Sequence, residues 1–258
     1  MNYEIIDFHT HPFINAENNF CHYKENMNMD YKTTLEDMES AGISMFCGSV
    51  IKQGMDEGFE TLKKCNREAL KLRDIYGKKY MPGFHVHPDY VNESIEEIEF
   101  AVKNNVKLIG EIVPYTNCWK DYSCKEFSEI LDVIAKHNLV VSVHTLDFES
   151  MEKMAASHKD VNFVFAHPGE KANVQKHIDI MKKLDNVYLD LSGTGLFRYG
   201  LVRYLADNIG AERIIFGTDY PICNLQLYVN GVLGEKLSDK EKELIFSGNA
   251  KRLLFGKE

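Results

Sequence analysis

The sequence predicts an α/β protein folded as one closed (β/α)8 barrel of parallel strands, and three observations carry that prediction. Eight short runs rich in Val, Ile and Phe recur along the chain, longer amphipathic stretches separate them, and polar residues close several of the runs. A length of 258 residues matches the roughly 250 typical of a complete barrel, so one domain over 1–258 is expected. No Pro-, Gly- or Ser-rich linker interrupts the pattern.

The runs occupy 4–8, 44–50, 81–86, 107–113, 140–145, 162–167, 187–192 and 213–219. Most are apolar nearly throughout, as strands must be when a closed parallel barrel buries both of their faces. The segments between them read as helices. Residues 123–137 place Phe127, Ile130, Leu131 and Ile134 on one stripe. Ser123 with Glu126, Thr33 with Glu36 and Ser238 with Glu241 have the spacing at which a hydroxyl and a carboxylate cap a helix start reciprocally. Two longer connections, 12–32 and 114–122, follow the first and fourth runs and belong on the face where barrel enzymes keep their chemistry. The polar and aromatic stretch 19–31 is a candidate lid over that face.

With 44% hydrophobic and 27% charged residues, the composition is that of an ordinary globular domain. No apolar run approaches the ~18 residues that span a bilayer. The N-terminus lacks the basic and apolar regions of a secretory leader. Cys21, Cys47, Cys65, Cys118, Cys124 and Cys223 have no CxxC spacing and read as thiols in a reducing compartment, so a cytoplasmic protein is expected. A net charge of −9 disfavours a nucleic-acid partner. The expected partner is a small-molecule substrate, with no membrane; a homo-oligomer is compatible with such a barrel, though no residue marks an interface.

The chemistry gathers at the ends of the runs. Alternation along the first strand sends His9 and His11 to one face, where two neutral imidazoles can share a cation. His144 closes the fifth run, His167 the sixth and Asp219 the eighth, all at the edge where barrel active sites form. Asp7 precedes the histidine pair and reads as a partner for a ring nitrogen or a strand-start residue. His85 and His87 share a face at the third run, whereas His22, His137, His158 and His177 fall in loop or helical segments and are expected at the surface.

The His-Thr-His after strand one, the histidine ending strand five, the His-Pro-Gly of 167–169, the IIFGTDYP run and the tail Gly248 to Phe255 resemble the amidohydrolase superfamily. They resemble in particular its amidohydrolase-2 branch of metal-dependent TIM-barrel proteins. The resemblance spans essentially the whole chain. It implies that His9, His11, His144 and Asp219 ligate a divalent metal, and that His167 is either a ligand to a second metal or a catalytic group. Glu111, towards the end of the fourth run behind Gly110, stands where two-metal relatives place a bridging lysine carbamate or glutamate. Zinc is the first expectation, as one or two ions; manganese, iron and cobalt suit the same ligands.

The activity so implied is hydrolysis of a small amide, ester or lactone. A bound ion lowers the pKa of its water to about 7, and Asp219 serves as general base. The alternative is a decarboxylase or hydratase acting on a small unsaturated or aromatic carboxylic acid. The GFHVHP and GEI segments are also similar to TatD-like deoxyribonucleases, but Gly217 stands before Thr218 where that branch carries a glutamate, and the acidic charge fits a nuclease poorly. A non-catalytic metal-binding barrel is the remaining class, disfavoured because no expected ligand is missing. His87, Tyr115, Asn117, Trp119, Ser192 and Arg198 follow strands on the catalytic side and are candidate substrate contacts. Arg198 would suit a substrate carboxylate.

Overall fold

A computed structural model of the chain describes residues 3–16, 20, 21, 23 and 29–256. Eight parallel strands lie in chain order β1 to β8: Ile6–Thr10, Met45–Ser49, Tyr80–Phe84, Leu108–Ile112, Val140–His144, Asn162–Ala166, Val187–Asp190 and Ile214–Ile215. The sheet curls back on itself. Phe8 N–H donates to the Phe216 carbonyl at 2.9 Å, Asp219 N–H to the His9 carbonyl at 2.8 Å and His11 N–H to the Tyr220 carbonyl at 2.6 Å, joining the last run to the first. The chain is therefore a (β/α)8 TIM barrel, as the sequence predicts.

Helices α1 to α8 follow the strands in turn: Tyr31–Ser40, Phe59–Tyr76, Val91–Lys103, Lys125–Lys136, Phe148–Ser157, Lys171–Met181, Leu201–Ile209 and Leu225–Gly234. Two short helices, α9 (Asp239–Glu243) and α10 (Asn249–Phe255), flank a π-helical turn over Leu244–Gly248. Phe127, Ile130, Leu131 and Ile134 of α4 are buried together, as their spacing requires. Among the described residues no helix is long and apolar enough to cross a membrane.

Several local expectations need correction. The eighth run is a strand only over Ile214–Ile215, because Phe216 N–H turns to the Ile245 carbonyl and the following peptides bond to β1 instead of continuing the ladder to β7. Helix α1 begins earlier than expected: Asp30 is its cap, and Thr33 is the third helical residue that bonds back to it. Ser123 does not cap α4; its hydroxyl donates to Asp121, and Cys124 holds the cap position without a side-chain bond. Ser238 and Glu241 do form the predicted reciprocal cap.

His177 and His158 are not at the surface. His177 lies on the inner face of α6 between Phe148 and Phe165, where burial pushes its pKa down to about 4. His158 is buried beside Ser128, and His137 pairs with Glu99. His22 lies outside the described residues, as does the candidate lid 19–31 apart from positions 20, 21, 23 and 29–31. The 114–122 connection packs inward: Tyr122 is fully buried, and its hydroxyl reaches the carbonyl oxygens of Ile112 and His144.

Candidate metal centre

His9 and His11 leave β1 side by side, because an extended strand returns every second side chain to one face. Their Nε2 atoms stand 3.3 Å apart. Each ring is fixed from behind: His9 Nδ1–H donates to Asp190 Oδ2 at 2.8 Å, and His11 Nδ1–H donates to the Ser49 carbonyl at 3.0 Å. These bonds assign the ring protons to Nδ1, so both Nε2 lone pairs point at one place. Two buried lone pairs at that separation repel each other unless a cation lies between them. The donor set therefore fits a metal ion.

Glu111 reaches the same place from β4. Its Oε2 lies 3.4 Å from His9 Nε2 and 3.6 Å from His11 Nε2, whereas its Oε1 lies 2.9 Å from His144 Nδ1 and 3.3 Å from His167 Nε2. One carboxylate thus faces two imidazole pairs with one oxygen each. Two groups result, His9–His11–Glu111 and Glu111–His144–His167, each with donor atoms within 4.8 Å of one another. Asp219 Oδ1, 3.4 Å from His11 Nε2, adds a further oxygen on the first side. Gly110 makes the turn that aims Glu111, with φ of +102°, and a Cβ there would come within 2.2 Å of the Ser142 carbonyl oxygen.

The charges agree with this reading. Burial favours the neutral imidazole, yet the Glu111 and Asp190 carboxylates outweigh it and raise the pKa of His9 well above its ordinary value. For His11 burial is likewise overcome, by Asp219 and Glu111, and the pKa is pushed up to about 9. Against its own burial, Glu111 is held well below the usual carboxylate range by His9 and the three other imidazoles. The cluster is built to hold positive charge.

Asp7 lies beneath the centre and ties β1 to the last run. It accepts from Thr218 Oγ1 at 2.5 Å, Thr218 N–H at 3.0 Å and His9 N–H at 3.1 Å, while burial outweighs these bonds and lifts its pKa to about 7. The carboxylate partner of the His9 ring is Asp190, which the sequence reading missed. The available signal was an acid inside the apolar run 187–192, since a charge buried between two barrel faces requires a partner.

Among the described residues, two cavities open onto the centre. One, of about 290 Å³, is bounded by His11, Glu111, His144, His167 and Asp219 at its floor and by Phe20, Ile51, Met55, Val113 and Ile222 on its walls, with Tyr115 and Thr116 at one side. The other, of about 370 Å³, shares His144, His167 and Asp219 but is walled by Thr145, Glu170, Asn173 and Thr194. An apolar recess and a polar recess therefore meet at the same three ligand candidates.

The structure gathers His9, His11, Glu111, His144, His167 and Asp219 in one place and sets Tyr115 at its entrance, the ring 5.3 Å from that of His144. His87, Trp119 and Arg198 stand elsewhere. Both ring nitrogens of His87 are engaged, Nε2 with the Asn117 carbonyl at 2.7 Å and Nδ1 with Asp89 N–H at 3.0 Å, and Trp119 packs against it in the interior. Arg198 is 63% exposed and pairs with Glu170 at 3.2 Å. His85 is a buried structural residue, its Nε2–H donating to the Val50 carbonyl at 2.8 Å and its backbone bracketed by the Asn66 amide.

The profile of the Amidohydrolase family matches residues 6–256. The chain belongs to that family. Solved structures of like fold include 2,6-dihydroxybenzoate decarboxylase from Rhizobium, with a TM-score of 0.78, 14% identity and 98% of each chain covered. They also include the manganese complex of 5-carboxyvanillate decarboxylase from Novosphingobium aromaticivorans, with a TM-score of 0.78, 13% identity and 98% and 96% of the two chains covered. A putative amidohydrolase from Staphylococcus aureus has a TM-score of 0.79, 13% identity and 97% and 99% coverage. No curated protein sequence matches the chain. As an amidohydrolase-family barrel with a convergent imidazole and carboxylate cluster, the protein has the equipment of a metal-dependent enzyme. The activities named for the decarboxylase structures correspond to the lyase alternative and not to the hydrolase expectation.

Proposed function

We propose that this barrel is a hydrolase that holds two divalent cations and cleaves a small ester, lactone or amide with an apolar acyl part. The observation that carries the proposal is Glu111, whose two oxygens are divided between the His9–His11 pair and the His144–His167 pair. His9, His11 and Glu111, joined by Asp219, would hold one cation, and Glu111, His144 and His167 the other. When bound, such cations supply Lewis acidity that polarises a carbonyl and lowers the pKa of water to about 7. The donors suit zinc or manganese equally.

The chain's own residues supply the rest. Asp219 borders both cavities and is the carboxylate placed to take a proton from the attacking water and pass it to the leaving group. Phe20, Ile51, Met55, Val113 and Ile222 would enclose the apolar acyl part and keep bulk water from it. Thr145, Asn173 and Thr194 offer hydrogen bonds to a polar leaving group on the other side.

A second reading, non-oxidative decarboxylation of a small aromatic acid, is favoured by the same apolar walls and by the names of the decarboxylase structures. Among the described residues that cavity is lined by apolar side chains, Tyr115, Thr116 and the ligand candidates, so a substrate carboxylate there would be received by the cations themselves. Elemental analysis after chelation and reloading with Zn2+ or Mn2+ separates the two, combined with an ester, lactone and amide panel and a hydroxybenzoate panel read by CO2 release. About two ions per chain with hydrolysis is the expected result. One ion with CO2 release transfers the assignment to the lyase, and a loaded protein inert on both panels returns it to a non-catalytic barrel.

A further inference from the structure

At the end of β7 the chain turns under both imidazole pairs through Asp190, Leu191, Ser192 and Gly193. Asp190 is fully buried and divides its oxygens. Oδ2 accepts from His9 Nδ1–H at 2.8 Å. Oδ1 accepts from Ser192 N–H at 2.9 Å, from His167 N–H at 3.3 Å and from the Ser192 hydroxyl. Ser192 Oγ in turn lies 3.0 Å from His167 Nδ1 and 3.0 Å from His9 Nδ1. A hydroxyl has one proton to give, and here Asp190 receives it. Its lone pairs are left to accept, and with the His9 proton already directed to Asp190, the donor is His167 Nδ1–H.

That bond fixes His167 in the tautomer whose Nε2 lone pair faces Glu111 Oε1 at 3.3 Å and His144 Nδ1 at 3.1 Å. The surroundings enforce it. His167 sits at φ of +68°, a left-handed backbone that its N–H bond to Asp190 supports. Gly193 passes so closely beneath that a Cβ there would come within 2.3 Å of His167 Nδ1.

We infer that Ser192 is a positioning residue that connects Asp190 to His167, so that one buried carboxylate orients a ligand in each half of the centre and the second half depends on the serine hydroxyl. Ser192 acts on His167 and touches no substrate. The consequence is a hierarchy: removing the hydroxyl disturbs only the Glu111–His144–His167 half, whereas altering Asp190 disturbs both. The inference rests on the two-cation reading above.

The test is a Co2+ titration of the metal-free full-length protein, followed by calorimetry and visible absorption, for the wild type, Ser192→Ala and Asp190→Asn, with Tm measured on the same samples. The wild type is expected to take two ions. Ser192→Ala should keep the first at wild-type affinity and bind the second about 10- to 100-fold more weakly, the usual penalty for losing a hydrogen-bond partner of a ligand. Asp190→Asn should weaken both. Should Asp190→Asn fail to fold, the serine variant alone decides. Wild-type affinity at both positions in Ser192→Ala, equal loss at both, or a wild type that takes one Co2+ overturns the inference. A protein that binds two ions in this order but hydrolyses nothing defeats the proposed activity and leaves the inference intact.

Discussion

His9 and His11, on the β1 side of the centre, are held more firmly than His144 on the β5 side, and the difference lies behind each ring. The first two are 2% and 3% exposed, with Nδ1 bonded outward to Asp190 and to the Ser49 carbonyl. His144 is 22% exposed, turns its Nδ1 into the cluster towards Glu111, and borders both cavities. Tyr122 secures its backbone, whereas among the described residues its ring is held only from within the cluster. A ring ordered before the cation arrives loses little freedom on binding it, and a ring ordered by the cation loses more. On the two-cation proposal, the comparison predicts a retentive position on the β1 side and an exchangeable one on the β5 side.

The largest effect is expected from breaking the firm half. His9→Ala should abolish retention of the first ion and lower activity by about a thousandfold, the scale of losing a principal electrostatic group. The far-UV circular dichroism should stay unchanged, because the residue lies at the barrel rim. His144→Ala should instead lose only the second ion on dialysis. If elemental analysis finds the two variants equally depleted, the halves do not differ. Glu111→Gln probes what the halves share. Removing its charge should cut occupancy from about two ions to one or fewer and lower activity by about a hundredfold; full occupancy would remove Glu111 from the bridge.

The legible part of this design was the part carried by period and position. Apolar runs at barrel spacing place β1 to β8, and the polar residues closing them, His9, His11, His144, His167 and Asp219, converge as their strand ends converge. Asp190 was hidden because a strand pattern does not tell which neighbour a buried acid will meet; its partner His9 is 181 residues away. His177 was misjudged because a histidine on a helix reads as polar until the neighbouring Phe148 and Phe165 are known. Ends of elements depend on single hydrogen bonds, as Asp30 and Phe216 illustrate.

The firm half also rests on neighbours that can be titrated. Beside the Ser49 carbonyl that orients His11, the Val50 carbonyl accepts from His85, which burial holds at a pKa of about 4. A histidine whose folded pKa lies below its unfolded value of about 6.5 contributes full stability above that value and loses it as pH falls towards 4, because the unfolded chain takes up the proton first. The loss amounts to at most about 3 kcal/mol over that window. His177 adds a shift of the same sign. Urea melts from pH 7 to pH 4.5 should therefore show a steep decline in the wild type and a shallower one in His85→Gln. Identical slopes would mean that His85 is not held neutral.

The smallest effect is expected from an exposed charge beyond β7 that is paired away from the centre. Arg198 follows β7 just beyond Ser192 and would complement a substrate carboxylate if it turned inward. Its guanidinium instead pairs with Glu170, both side chains more than half exposed, and lies 4.8 Å from the Phe197 ring. An exposed pair of this kind contributes about 0 to 1 kcal/mol. Arg198→Ala should leave metal occupancy unchanged, Tm nearly so, and kcat/KM for neutral esters within about twofold. The same variant sharpens the choice of chemistry, because a lyase that recruits Arg198 would lose carboxylate substrates selectively, with KM rising and ester turnover unaffected. Parallel kinetics on a neutral ester and on a hydroxybenzoate thus ask whether the residue just beyond Ser192 belongs to the reaction or only to the surface that surrounds it.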